Sequence, residues 1–239
     1  MRRVLLVGLL LLALALGVGG GYYAGNRWDT PDPTASGTAG PLGTVSPSPT
    51  PTPTPTETPL PVKTPVPNNL DPLQPGLTYA NRTFTVNPKD AQPVQLSVGV
   101  PQGWGLTRDP KHPDEVKFLD NLRQRGVRVQ AVEPATQTPK DAIAQLVIDL
   151  RKSQAPENNV QIVDQNTAVI TGDDGRSRAV GTLIYTFIPG DTLRYVIVRF
   201  IAVNGELANI SMSITGIPED APALKEILEK ASASVSETA

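Results

Sequence analysis

Three observations predict an α+β domain, an antiparallel sheet meander with covering helices, preceded by one transmembrane helix and a disordered Pro/Thr-rich linker. Apolar runs with two-residue alternation recur between turn-forming clusters from Val94 onward. Two apolar stripes at helical spacing follow Thr138 and Asp220. Between Arg27 and Thr78 stand 14 of the 25 prolines and 11 threonines, a composition that cannot build a core. The chain therefore divides into residues 1–26, 27–76 and 77–239.

Arg2 and Arg3 precede an uncharged run from Val4 to Ala24. As a helix this run spans about 32 Å at ~1.5 Å per residue, enough for a hydrocarbon layer of about 30 Å. The arginines, Val4–Leu16 and Ala13-Leu14-Ala15 also fit a cleavable secretory signal. Tyr22, Tyr23 and Trp28 instead suit the far membrane interface and an uncleaved signal anchor. On either reading the positive-inside rule sends everything after residue 26 outside. The expectation is a single-pass membrane protein with an extracytoplasmic C-terminal domain, secreted if the signal is cleaved. Ala13, Gly17, Gly21 and Gly25 repeat every fourth residue as a strip of small residues. That strip is a candidate helix-pairing face, which would give a homodimer in lipid. The competing reading is that glycines gather where a signal sequence ends.

Ser46 to Pro67 reads SPSPTPTPTPTETPLPVKTPVP. Proline at every second position fixes φ, removes donors and pushes each preceding residue into extended geometry. Polyproline II is the expected state, spanning about 68 Å at ~3.1 Å per residue. Such a segment serves as a spacer from the bilayer or as a protease-resistant linker. Residues 29–45 and 68–76, rich in Asp, Pro, Gly and Asn, read as equally unstructured.

Within the domain, Val94, Leu96, Val98 and Val100 alternate with polar or small residues, as do Val127, Val129 and Ala131. Thr138-Pro139-Lys140-Asp141 starts a helix with a cap, a proline in the first turn and an acid at the positive end. Ala142, Ile143, Leu146, Val147 and Leu150 form its buried stripe, and Arg151 and Lys152 close it. Val160–Thr171 and Ser177–Ile188 flank the turn Gly172-Asp173-Asp174-Gly175-Arg176. Pro189-Gly190-Asp191 and Asn204-Gly205 mark two more turns. In the last strand Ala208, Ile210, Met212 and Ile214 face one way, with Leu207, Asn209, Ser211 and Ser213 opposite. Leu224, Ile227, Leu228, Ala231 and Val235 form the stripe of a final helix from about Asp220. Segment 113–125 fits either a helix through Val116, Leu119 and Leu122 or one arm of a hairpin through Val116, Phe118 and Asp120.

The strand ending in Pro101-Gln102-Gly103-Trp104 resembles the Pro-x-Gly-Trp element near the start of PsbP-like domains, the family of the photosystem II extrinsic subunit. Val116–Asp120, the Val127–Val132 strand, a Thr-Pro-initiated helix, paired long strands and a C-terminal helix follow that family's order over residues 79–236. The resemblance implies a PsbP-like α/β sandwich and a non-catalytic binding or assembly module, as in many secreted bacterial proteins. It also favours the hairpin for 113–125. No ligand-binding residue of the family can be matched, so no site is carried over.

Composition narrows the chemistry. There is no cysteine, which excludes disulfides, thiolate metal sites and a cysteine nucleophile. His112 is the single histidine, and the net charge of −2 lacks the basic footprint that nucleic acid requires. His112, near Asp109, Asp114 and Glu115 but set between prolines, reads as part of an exposed turn rather than a metal or acid/base site. Asp173-Asp174-Gly175 lacks the spaced third acid and terminal glutamate of a calcium loop. Ser177, Ser211 and Ser213 lie in strands without a nucleophile elbow. Arg123, Arg125 and Arg128 read as solvated positions, with a small basic patch as the alternative. Trp104 is either a partner contact or a lid on the core. No catalytic residue, metal site or cofactor is expected. The expected function is an extracytoplasmic binding or assembly module held on the membrane, with an unidentified protein or cell-envelope partner. The alternative is a hydrolase with an unrecognised carboxylate or serine site. A shallow cleft or flat face suits the first, and a deep pocket with converging polar groups the second.

Overall fold

Alternation of apolar and polar residues makes strand the commonest regular element of this domain, and the computed structural model describes residues 61–238. The strands are β1 (Tyr79–Val86), β2 (Val94–Pro101), β3 (Gly105–Asp109), β4 (His112–Leu119) and β5 (Gly126–Ala131). Helix α1 (Pro139–Ser153) follows, then β6 (Gln161–Thr171), β7 (Ser177–Phe187), β8 (Arg194–Ile201) and β9 (Ile210–Gly216). Helix α2 (Ala221–Ser234) and the short β10 (Ser236–Thr238) end the described chain. All strand pairs are antiparallel. They form a seven-stranded sheet in the order β3-β4-β5-β9-β8-β7-β6 and a three-stranded sheet in the order β1-β2-β10. The α+β expectation holds, and segment 113–125 is a strand followed by the turn to β5.

The central strands of the large sheet give alternate residues to two different layers. On its inner face Val116, Phe118, Val127, Val129, Met212 and Ile197 are fully buried beneath the small sheet and α2. On its outer face Leu183, Phe187, Val196 and Val198 pack against Ile143, Leu146 and Leu150 of α1. Helix α1 starts as its sequence dictates, with Thr138 Oγ1 accepting the Asp141 amide at 3.3 Å. Gly181 permits the close seating of α1, because a Cβ there would stand 2.3 Å from the Pro139 carbonyl oxygen. The α2 stripe of Leu224, Ile227, Leu228 and Ala231 is buried as its spacing predicts. The helix stops at Ser234, however, and Val235 is its cap, because the chain then pairs with β2 as β10.

Three buried arginines hold α2 on the inner face. Arg125 donates from Nε to Asp220 Oδ2 at 2.7 Å and from Nη2 to Oδ1 at 2.9 Å, just before the helix begins. Arg199 reaches Thr182 Oγ1, Ser232 Oγ and Glu229 Oε1. Arg178 donates from Nη1 to the carbonyls of Ser232, Ala233 and Val235. A cation there meets the negative end of the helix and the carbonyls the last turn leaves open.

Residues 61–78 have no regular secondary structure, yet they run along the domain as a strap. Lys63 and Val66 donate backbone N–H groups to the carbonyls of Glu157 and Asp191. Leu73 N–H donates to Asp220 Oδ1 at 2.7 Å, Asp71 C=O accepts from Arg125 Nη2 at 2.5 Å, and Gly76 N–H donates to Glu226 Oε2 at 2.7 Å. The strap therefore begins upstream of residue 77. No helix among the described residues is long and apolar enough to cross a membrane. The expected anchor, its Ala13/Gly17/Gly21/Gly25 strip and most of the linker lie outside the described residues.

Candidate functional site

Helix α1 covers β7 and β8 but leaves the outer face of β4, β5 and β9 open. The result is a groove of about 970 Å³. Strand register determines what lines its floor, since residues directly opposite one another share a face. One row crosses the sheet as Lys117, Arg128, Ser213, Val198 and Leu183. The next runs Glu115, Gln130, Ser211, Phe200 and Gly181, and the row on the other side Leu119, Gly126, Thr215, Val196 and Tyr185. Read from β4 to β7, the row through Lys117 and Arg128 passes from charged through hydroxyl to apolar. Leu146 and Asp149 of α1 form the wall above the apolar end.

The charged end is a triad. Glu115 is 3% exposed and lies between Lys117 Nζ at 2.9 Å and Arg128 Nη1 at 3.2 Å. Lys117 Nζ and Glu115 Oε1 touch off the hydrogen-bond line, so neither atom has a directional partner among the described residues. Arg128 uses Nη1 on Glu115, while its Nε and Nη2 meet no acceptor among the described residues. Gln130 Nε2 donates to Asp114 Oδ2 at 2.6 Å. Tyr185 packs against Phe187 with ring centroids 5.6 Å apart. Burial pushes its phenol up to about 12, against the opposing pull of Arg128. The Tyr185 phenol thus stays neutral and offers a proton donor to the groove.

The expected residues fall in several places. Ser211 and Ser213 are on the groove floor, and neither they nor Ser177 hydrogen-bond to a histidine or carboxylate among the described residues. His112 begins β4 after the two-residue turn Pro110-Lys111, half-buried at the groove rim, with Nδ1 3.3 Å from Asp109 Oδ2. Asp173, Asp174 and Gly175 form the β6–β7 turn. Asp174 pairs with Arg178 at 2.9 Å, and the Arg176 amide first, then Arg178, hold its carboxyl below the usual range against slight burial. Among the described residues no three histidine or acidic side chains stand together as a metal-ligand set. Trp104 is 8% exposed and packs in the core.

The arginine expectation needs correction. Arg125 is not solvated but buried on Asp220, since the turn Asp120–Arg125 folds it inward through bonds from the Gln124 and Arg125 amides to Asp120 Oδ1. Arg123, exposed in the turn, and Arg128 line the groove together with the edge of Arg125, whose guanidinium is held by Asp220. Glu115, Lys117, Arg128 and Tyr185 were not singled out as a group. Their signal was the polar residue at every second position of strands whose other face reads Val116-Phe118 and Val127-Val129.

The chain matches no protein-family model, and no curated protein matches it.

Proposed function

We propose that this chain is a membrane-anchored, extracytoplasmic binding or assembly module of PsbP-like type, without catalytic activity, and that the groove is its binding face. The anchor and outward placement rest on Arg2, Arg3 and the apolar run after them. The family reading rests on the Pro101–Trp104 element and the element order. The observation that carries the binding reading is the polarity gradient across one open sheet face. A ligand with an acidic group and an apolar portion fits it. The acid meets the open Nε and Nη2 edge of Arg128, a planar donor pair suited to a carboxylate. The apolar portion lies along the half-buried rings of Phe200 and Tyr185, where burial supplies most of the affinity.

Polar groups converge here as a hydrolase would need, but none is activated. Ser211 and Ser213 lack a bonded base, and Glu115 serves two cations.

A photo-crosslinking residue in place of Ser213, in the full-length protein in native membranes, tests the assignment. The expected result is a discrete adduct by mass spectrometry that is lost when Arg128→Gln is added to the same chain. Equal adduct yield from the exposed Arg82 position on the small sheet, or adducts indifferent to Arg128, would overturn it.

A further inference from the structure

Residues 61–78 wrap one end of the domain, and their anchors follow in chain order. Lys63 donates its N–H to the Glu157 carbonyl at 2.9 Å and its Nζ to Asn158 Oδ1 at 2.6 Å. Val66 N–H reaches the Asp191 carbonyl between β7 and β8 at 2.7 Å. Asp71 C=O and Leu73 N–H then close on Arg125 and Asp220, and Gly76 N–H on Glu226. The first and third of these anchors flank the same end of the groove. Asn158 Nδ2 donates to Gln154 Oε1 at 3.2 Å, and Gln154, the C-cap of α1, lines the groove on one side. Gln124 and Arg125 line it on the other, from the β4–β5 turn.

The strap itself is lightly held. Val62 and Val66 are 56% and 58% exposed, and no residue from Lys63 to Asp71 is fully buried. A segment that buries so little apolar surface opens at low free-energy cost, without unfolding the rest. What it holds is, by contrast, deeply buried. Arg125 Nη2 donates to both Asp220 Oδ1 and Asp71 C=O. Asp220 accepts four N–H bonds, two from Arg125 and one each from Leu73 and Ile217. We propose that the strap is a releasable clamp on the groove, which when seated fixes the β4–β5 turn at the cationic end and when lifted frees that turn to open. Lifting it leaves a donor of a buried cation unmade and takes one donor from Asp220, so the turn loosens. Arg194 still bonds the Gln124 carbonyl and Oε1, so the sheet beneath keeps its place. The stalk joins at residue 61, so a pull along the chain loads Lys63 and Val66 before it reaches Asp71. The anchors then give way one at a time rather than together. The consequence for binding rests on the groove being the binding face, and the clamp itself does not.

The test acts on the far anchors and reads at the turn. Lys63→Glu sets a like charge beside Glu157, and Val66→Pro deletes the N–H that Asp191 accepts. Neither residue lines the groove. In the full-length double variant, hydrogen exchange over residues 120–126 should quicken about tenfold, since the Gln124 and Arg125 amides bond to Asp120 Oδ1 inside that turn. Lys63→Arg alone should leave it unchanged. The absence of cysteine permits paired spin labels at Leu122→Cys in the turn and Ile148→Cys on α1, both exposed. Their distance distribution should broaden in the double variant. Unchanged exchange and distances at the turn while residues 62–70 exchange freely would overturn the clamp. Residues 62–70 still protected after both substitutions would overturn its releasable character. Exchange quickened equally over β7 to β9 would overturn it as well, by making the strap an ordinary part of the fold. No ligand enters this test, so its failure leaves the groove reading standing, and failure of the Ser213 adducts leaves the clamp standing.

Discussion

The two faces of the seven-stranded sheet use the same residue types for opposite ends. On the inner face Arg125, Arg178 and Arg199 each make several hydrogen bonds; Arg178 Nε lacks one, and Arg125 Nη1 has an ion pair with Asp120 at 3.6 Å. On the outer face Arg128 bonds through one nitrogen, and the hydroxyls of Ser211, Ser213 and Thr215 bond to no described group. Buried charges cost folding free energy unless satisfied, so the inner arginines have to be saturated. Arg128, Ser213 and Thr215, half-buried on the groove side, are less constrained. A face that holds itself together has no bonds left for a ligand, and a face that binds keeps some in reserve.

The largest effect expected from this contrast is at Asp220, which is fully buried on Arg125. Asp220→Asn leaves the buried arginine with only Asp120, 3.6 Å away, as counter-charge and should cost about 3–5 kcal/mol in chemical denaturation. The double variant Arg125→Met, Asp220→Asn should recover much of it. If Asp220→Asn costs under 1 kcal/mol, the inner face is not held as described. Burial pushes the Asp220 carboxyl up, but Arg125 and the amides of Leu73 and Ile217 outweigh it and hold the group below its ordinary 3.8. Its folded form therefore binds fewer protons than the unfolded chain. The contribution is fully present above about pH 4 and is lost as pH falls through the folded value, which denaturation at stepped pH should show.

Gly181 should come next. Because a Cβ would meet the Pro139 backbone, Gly181→Ala must push α1 off β7 or distort the strand, at about 1–3 kcal/mol by thermal melting. Unlike Asp220→Asn, it should also reshape the groove wall and so reduce adducts from the Ser213 position. Glu115→Gln should cost less, about 1–2 kcal/mol, although it orphans two cations. Lys117 and Arg128 are 14% and 18% exposed and can turn toward water, as Arg125 cannot. Equal costs for Glu115→Gln and Asp220→Asn would erase the distinction between the faces.

Much of the inner face was legible in the sequence because burial leaves a period. The alternation at Val127–Ala131 and the stripe at Leu224–Ala231 gave strand and helix directly. Strands β1, β3 and β10 were not, since Tyr79–Val86 shows only Phe84 and Val86 as buried residues at its end and β10 is three residues long. The Arg125–Asp220 pair spans 95 residues, and no local spacing announces a contact at that separation. The outer face was legible in pieces: Ser211 and Ser213 were placed opposite the core. Which strands lie beside β9 is a matter of sheet order, and only that order puts Arg128 next to Ser213.

The smallest effects separate binding from stability most clearly. The side chains of Ser211 and Ser213 face the groove, their hydroxyls bond to no described group, and both stand on a central strand whose inner residues Ile210, Met212 and Ile214 supply the packing. Removing a hydroxyl that makes no bond leaves no buried group unsatisfied, so Ser211→Ala and Ser213→Ala should each change stability by no more than about 0.5 kcal/mol. The same substitutions take two donors from the middle of the polarity gradient, so adduct formation from a photo-crosslinker at the neighbouring Thr215 should fall. Met212→Ala is the matched control one residue away on the inner face. It should cost about 2–5 kcal/mol through the cavity it leaves. A serine substitution as costly as that one would mean the outer hydroxyls hold the fold, and the groove would lose its claim to be a binding face.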